Sequence, residues 1–87
     1  MSSDYTKNHR LQKMTYQNLG EICHSHDVDI GDENLKVILR IMQENPYPVI
    51  NESYHPVLLM IIANKMSQKM SDLFKPILED YFINEIK

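Results

Sequence analysis

Cys23, His24, His26, Asp27 and Asp29 crowd a thiol, two imidazoles and two carboxylates into seven consecutive residues. Such groups hold zinc, bind calcium or activate nucleophiles, and each of these chemistries demands its own spacing. A structural zinc site draws its four ligands from two separated pairs, and only the distant His9 and His55 could complete one here. Cys23 also falls on the apolar side of a predicted helix, where a free cysteine behaves as a small hydrophobe. The spacing therefore assigns Cys23 to the core.

Asp27-x-Asp29-x-Gly31-Asp32 follows the start of a calcium loop and then departs from it. The sixth position is Asp32 where glycine is needed for the turn, and the twelfth is Ile38 where a bidentate glutamate belongs. Read physically, these acids serve a solvated turn and the positive end of the next helix. A nucleophilic dyad fails as well: His24 follows Cys23 directly and points about 100° away around a helix. With two glycines in the whole chain, no glycine-rich phosphate loop can be drawn. His24 and His26 beside Asp27 leave one further option, a pair responding to pH near neutrality, set against the commoner case of surface histidines at a helix end. No catalytic, cofactor or metal residue is assigned, no small-molecule substrate is evident, and the expectation is a protein that is not an enzyme.

The chain that positions these residues is short. At 87 residues it lies at the low end of single-domain size, where little free energy is left over for a strained site. One cysteine excludes an internal disulfide and points to a reducing compartment, hence a cytoplasmic protein. The longest apolar run, 57–63, is far below the roughly 20 residues that cross a bilayer, so no membrane role is expected. A net charge of -3 provides no overall attraction for phosphate. Weak nucleic-acid binding would fall to Lys7, His9, Arg10 and Lys13 at the N-terminus, and this alternative is disfavoured.

Residues up to about Lys13 are polar, with Tyr5 and Leu11 as their larger apolar groups, and 1–14 are expected to form a flexible arm. Residues 15–87 then form a single helical domain. Thr15 can cap a first helix over 16–25, in which Leu19, Ile22 and Cys23 share a side and Gly20 weakens the middle. Val28 and Ile30 anchor an extended connector. A second helix, 32–44, carries a wide apolar arc through Leu35, Ile38, Leu39 and Met42 and through Val37 and Ile41. Asn45-Pro46-Tyr47-Pro48 reads as a stiff, extended linker, closed by Val49 and Ile50. Pro56 suits the first turn of a third helix reaching Lys65, apolar on all sides. Ser67 can cap a fourth, with a stripe of Met70, Leu73, Phe74, Ile77, Leu78 and Tyr81 and a bend at Pro76. The expectation is an all-α, compact four-helix small domain with a mobile N-terminal arm.

A surplus of apolar surface remains after the core is filled. Two broadly apolar helices and the methionines at 42, 60, 66 and 70 fit a protein partner or self-association, set against the commoner case of an ordinary small core that uses methionine as filler. Val37, Ile41, Val57, Met60 and Ile61 are the expected interface, rimmed by Lys36, Arg40, Asn64 and Lys65. An interaction or regulatory adaptor, in homodimeric form as one variant, is the function that survives elimination.

From Leu19 to Tyr81 the pattern resembles the YqfT-like family of short, uncharacterised cytosolic proteins of low-GC Gram-positive bacteria. The resemblance lies in the apolar first helix leading into Val28-Asp29-Ile30-Gly31, where the family usually has Thr in place of Gly31. It continues through Leu35, Ile38, Ile41 and Met42 to Tyr47-Pro48-Val49-Ile50-Asn51, where the family tends to read Ile-Asn-Ile-Phe-Asn. Ile62-Ala63 and the Phe74, Ile77, Leu78, Tyr81 stripe complete it, while Pro46, Pro48, Pro56 and Pro76 depart from the pattern. The resemblance implies an intracellular helical protein and brings no site residues with it.

Overall fold

The computed structural model describes residues 3–79, with side chains described from Asn8 onward. The expected all-α class holds, with no strand among the described residues. In place of four helices the described residues form six, α1 (Ser3–Lys13), α2 (Tyr16–Ser25), α3 (Asp32–Glu44), α4 (Pro46–Ile50), α5 (His55–Lys65) and α6 (Gln68–Ile77), with a 3-10 turn, Glu52–Tyr54, before α5.

Helix α2 starts as its residues dictate. The Thr15 hydroxyl accepts from the Asn18 amide at 3.1 Å, and the Asn18 side chain accepts from the Thr15 amide at 3.1 Å, a reciprocal capping box. Its end is equally explicit. Asp27 takes a left-handed conformation with φ of 58°, so that its own amide reaches the His24 carbonyl at 3.0 Å and that of Val28 reaches Cys23 at 2.9 Å. This is the Schellman arrangement, and aspartate tolerates the backbone it requires. The chain then turns Val28 and Ile30 towards the core, and α3 lies close against α2 at Gly20, where an added Cβ would stand 3.1 Å from Leu35 Cδ1.

The segment read as an arm contains α1, and Leu11 on it is fully buried. Two glutamines join α1 to α3. Gln43 Nε2 donates to the carbonyls of Leu11 (3.2 Å), Gln12 (3.4 Å) and Met14 (3.2 Å), and Gln12 Nε2 donates to the Gln43 carbonyl at 2.8 Å. Each side chain thus reaches backbone carbonyls at the C-terminal end of the other helix, where intrahelical donors run out.

The expected extended linker is likewise corrected, because Pro46–Ile50 forms α4. Pro46 and Pro48 occupy the first and third helical positions, where backbone amides have no intrahelical acceptor, so the missing donors cost nothing. The Asn51 amide closes the turn on the Tyr47 carbonyl at 2.9 Å, and the Asn51 side chain caps the following 3-10 turn through the Ser53 amide at 3.0 Å.

Helices α5 and α6 pack side by side, with Leu58 and Ile62 on one and Phe74 and Ile77 on the other fully buried. Ser71, itself buried, donates from Oγ to the Leu59 carbonyl at 2.8 Å across the pair. Ser67 caps α6 through the Met70 amide, and the helix runs through Pro76 to Ile77 before loosening into a wider, π-type turn at 78–79. Tyr81, the expected end of the stripe, lies outside the described residues.

Gly31 caps α3 without a side chain, at φ of -60° and ψ of 157°, and a Cβ there would meet nothing within 4 Å. Gly31→Ser adds a capping hydroxyl and removes glycine freedom from the unfolded chain, so urea unfolding should show a gain of about 0.5–1 kcal/mol. Thr15→Ala, which breaks the α2 box, should lose about 1 kcal/mol by the same measurement.

Candidate functional site

The sequence's concentration of ligand-type residues does not converge. Cys23 is buried on the core side of α2, while His24 is exposed. The His26 ring places Nδ1 3.0 Å from the Ile22 carbonyl and 3.3 Å from Ser25 Oγ, a local arrangement at the end of α2. A cleft of about 510 Å³ between α2 and α3 is lined by Cys23, His24, Asp29 and Asp32 among others. Even so, no group of three His, Cys, Asp or Glu side chains among the described residues is arranged to hold a metal ion. Burial pushes the Cys23 thiol up to about 11, so at neutral pH it carries its proton and is no nucleophile.

The expected partner interface is divided by the fold. Val37, Val57 and Met60 are exposed, at 43, 38 and 57%. Ile41 is not available, since it turns into the core and keeps only 3% exposure, and Ile61 is half-buried against the same core. The flanking Lys36, Arg40, Asn64 and Lys65 are all exposed. Two residues absent from the expected set belong with Val57 and Met60 in the same stretch of chain. Tyr47 on α4 and Tyr54 before α5 are 54 and 44% exposed, with ring centroids 5.1 Å apart and planes tilted by 50°. Asn51 Nδ2 donates to the Tyr47 hydroxyl at 3.0 Å, so the pair is held as well as displayed. The only available signal was the two tyrosines at the ends of the 47–54 stretch, masked by reading the prolines as a plain linker.

A second feature has no counterpart in the sequence. His55, the first residue of α5, is 5% exposed and its Nε2 lies 2.9 Å from the Val49 carbonyl. A carbonyl can only accept, so Nε2 carries a proton. The other ring nitrogen, Nδ1, is buried without a hydrogen-bond partner. A cavity of about 330 Å³ between the start of α5 and the end of α6 is lined by His55.

Of the basic N-terminal residues, His9, Arg10 and Lys13 stand exposed on α1, and the Lys7 side chain lies outside the described set. No helix among the described residues is long and apolar enough to cross a membrane. Comparison of the chain with protein-family models, curated proteins and solved structures returns no match.

The state of Cys23 is open to direct measurement. The folded protein should resist iodoacetamide at about pH 8, close to the ordinary thiol range, and react once unfolded in urea. In the unfolded chain the thiol loses its proton first, so its contribution to stability is complete below the ordinary value of 9.0 and is lost as pH climbs towards about 11. Stability measured across that range should fall more steeply in the natural protein than in Cys23→Ala; equal slopes would contradict the burial argument.

Proposed function

We propose that the chain is a small cytosolic protein-interaction module, a non-enzymatic adaptor that receives an apolar segment of a protein partner, a second copy of itself included. The observation that carries this reading is the placement of the exposed apolar side chains. Among the described residues Val37, Tyr47, Tyr54, Val57 and Met60 are the large apolar ones left exposed, and four of the five fall within 47–60. Scattered apolar exposure is ordinary, whereas clustering along one stretch marks a surface that gains by being covered.

The chemistry of the stretch suits that role. Tyrosine provides large contact area with little rotameric freedom to lose, and methionine adapts to irregular partners. Glu52 at one end and Asn64 and Lys65 at the other provide a polar rim of both signs. Membership of the YqfT-like family forms part of this proposal and rests on the pattern from Leu19 to Tyr81.

Met60→Lys tests the reading with little risk to the fold, because a side chain 57% exposed should change stability by no more than about 0.5 kcal/mol. Light scattering across a concentration series, with affinity capture from the native cytosol, should show a dimer or a partner that Met60→Lys loses and Glu21→Lys, on exposed α2 surface, retains. A mass of one protomer throughout, with capture unaffected by Met60→Lys, would sink the proposal.

A further inference from the structure

Helices α5 and α6 leave a groove between them. Two clefts, of about 420 and 330 Å³, run into one another along it and share Pro56, Leu59 and Lys75 in their walls; the first reaches towards Asn64 and Gln68, the second towards Glu52 and Glu79. The α5 wall is Pro56, Leu59, Met60 and Ala63, an i, i+3, i+4, i+7 series that forms one face of the helix and carries no charge. The α6 wall repeats that spacing in Gln68, Ser71, Asp72 and Lys75, and Glu79 continues it. Ser71 is buried, and its hydroxyl is committed to the Leu59 carbonyl 2.8 Å away. One wall is thus apolar and the other polar and charged. With Glu52 included, the exposed rim carries three carboxylates against the single Lys75 ammonium, and none of these four groups is in an ion pair among the described residues.

We propose that this groove receives a basic amphipathic helix of a partner protein, its apolar stripe laid along α5 and its lysines or arginines set against Glu52, Asp72 and Glu79. The inference deepens the interaction reading and rests on it, since Met60 belongs both to the groove and to the exposed apolar stretch. A helix is the shape that two parallel ridges of helical spacing accept, because its own side chains repeat at the same intervals. The eleven residues of α5 span about 16 Å, so about three turns of a partner cover them. Charge selects among such helices: an acidic one meets three like charges, a basic one three opposite charges. The basic helix of this chain, α1, buries Leu11 in its own core, so the occupant comes from another protein and not from a second copy.

The test uses the full chain labelled with 15N and titrated with three synthetic peptides of about three helical turns. The first carries leucines at helical spacing with lysines between them, the second the same leucines with glutamates, and the third is the lysine peptide shuffled to break its apolar stripe. The lysine helix should shift the amides of Leu59, Ala63 and Leu78 and, at low salt, bind about tenfold more tightly than either of the others. Lys75→Glu should tighten its binding about threefold and Asp72→Lys should weaken it about threefold, opposite effects at two exposed positions on one helix. Equal affinity for the lysine and glutamate helices, equal affinity for the shuffled peptide, or shifts confined to other surfaces would overturn the proposal. If the lysine helix fails in any of these ways while Met60→Lys still abolishes a dimer or a captured partner, the groove assignment alone falls; if Met60→Lys alters neither, the interaction reading falls with it.

Discussion

The hydrogen bond from His55 Nε2 to the Val49 carbonyl governs how the middle of this chain is assembled. Val49 is buried, and its carbonyl lies at the end of a five-residue helix, beyond the reach of intrahelical donors. By providing the donor from the first residue of α5, the fold ties the end of one helix to the start of the next across a 3-10 turn. Leaving such a buried acceptor unsatisfied costs about 1–3 kcal/mol, a large fraction of the stability a small domain possesses. The bond also sets the remaining geometry nearby. It holds α4 where Tyr47 meets Tyr54, and it determines which ring nitrogen of His55 is left buried without a partner of its own.

A second junction joins α1 to α3. Leu11 enters the core, and the Gln12 and Gln43 amides exchange donors with each other's helix ends. The apolar contact and the polar contacts act together: the leucine keeps the helix ends near, and the amides bond carbonyls at those ends. Helices α2 and α3 are joined by a self-contained turn in which Asp27, Val28 and Ile30 each have a local reason for their conformation.

How far the sequence discloses this arrangement follows from the range of the forces involved. Helices α2 and α3 were legible to their boundaries because caps, apolar spacing and a turn acid all act within four residues. The helical course of α6 through Pro76 was legible for the same reason. Helix α1 was not, because its attachment runs through side-chain amides to partners 29 to 32 residues away and leaves no periodic trace. Helix α4 was concealed by a rule correct for helix interiors and irrelevant to first turns. Among the expected interface residues, Val57 and Met60 could be named from an all-round apolar helix, whereas Ile41 and Ile61 could not be separated from them until the packing of α3 and α5 was known. The unpaired nitrogen of His55 is a property of tertiary structure alone.

The prolines that obscured α4 have a consequence that no inventory of contacts contains. Pro46, Pro48 and Pro56 stand in the first turns of α4 and α5, each with its φ already near the helical value before the chain folds. Their effect falls on the denatured ensemble, which has fewer conformations to surrender. A five-residue helix is far too short to persist by its own hydrogen bonds, since nucleation fixes several dihedrals for a single bond gained. Ring closure within three side chains performs part of that ordering covalently. Some of the stability of this small domain is thus stored in the stiffness of the chain before any helix has formed.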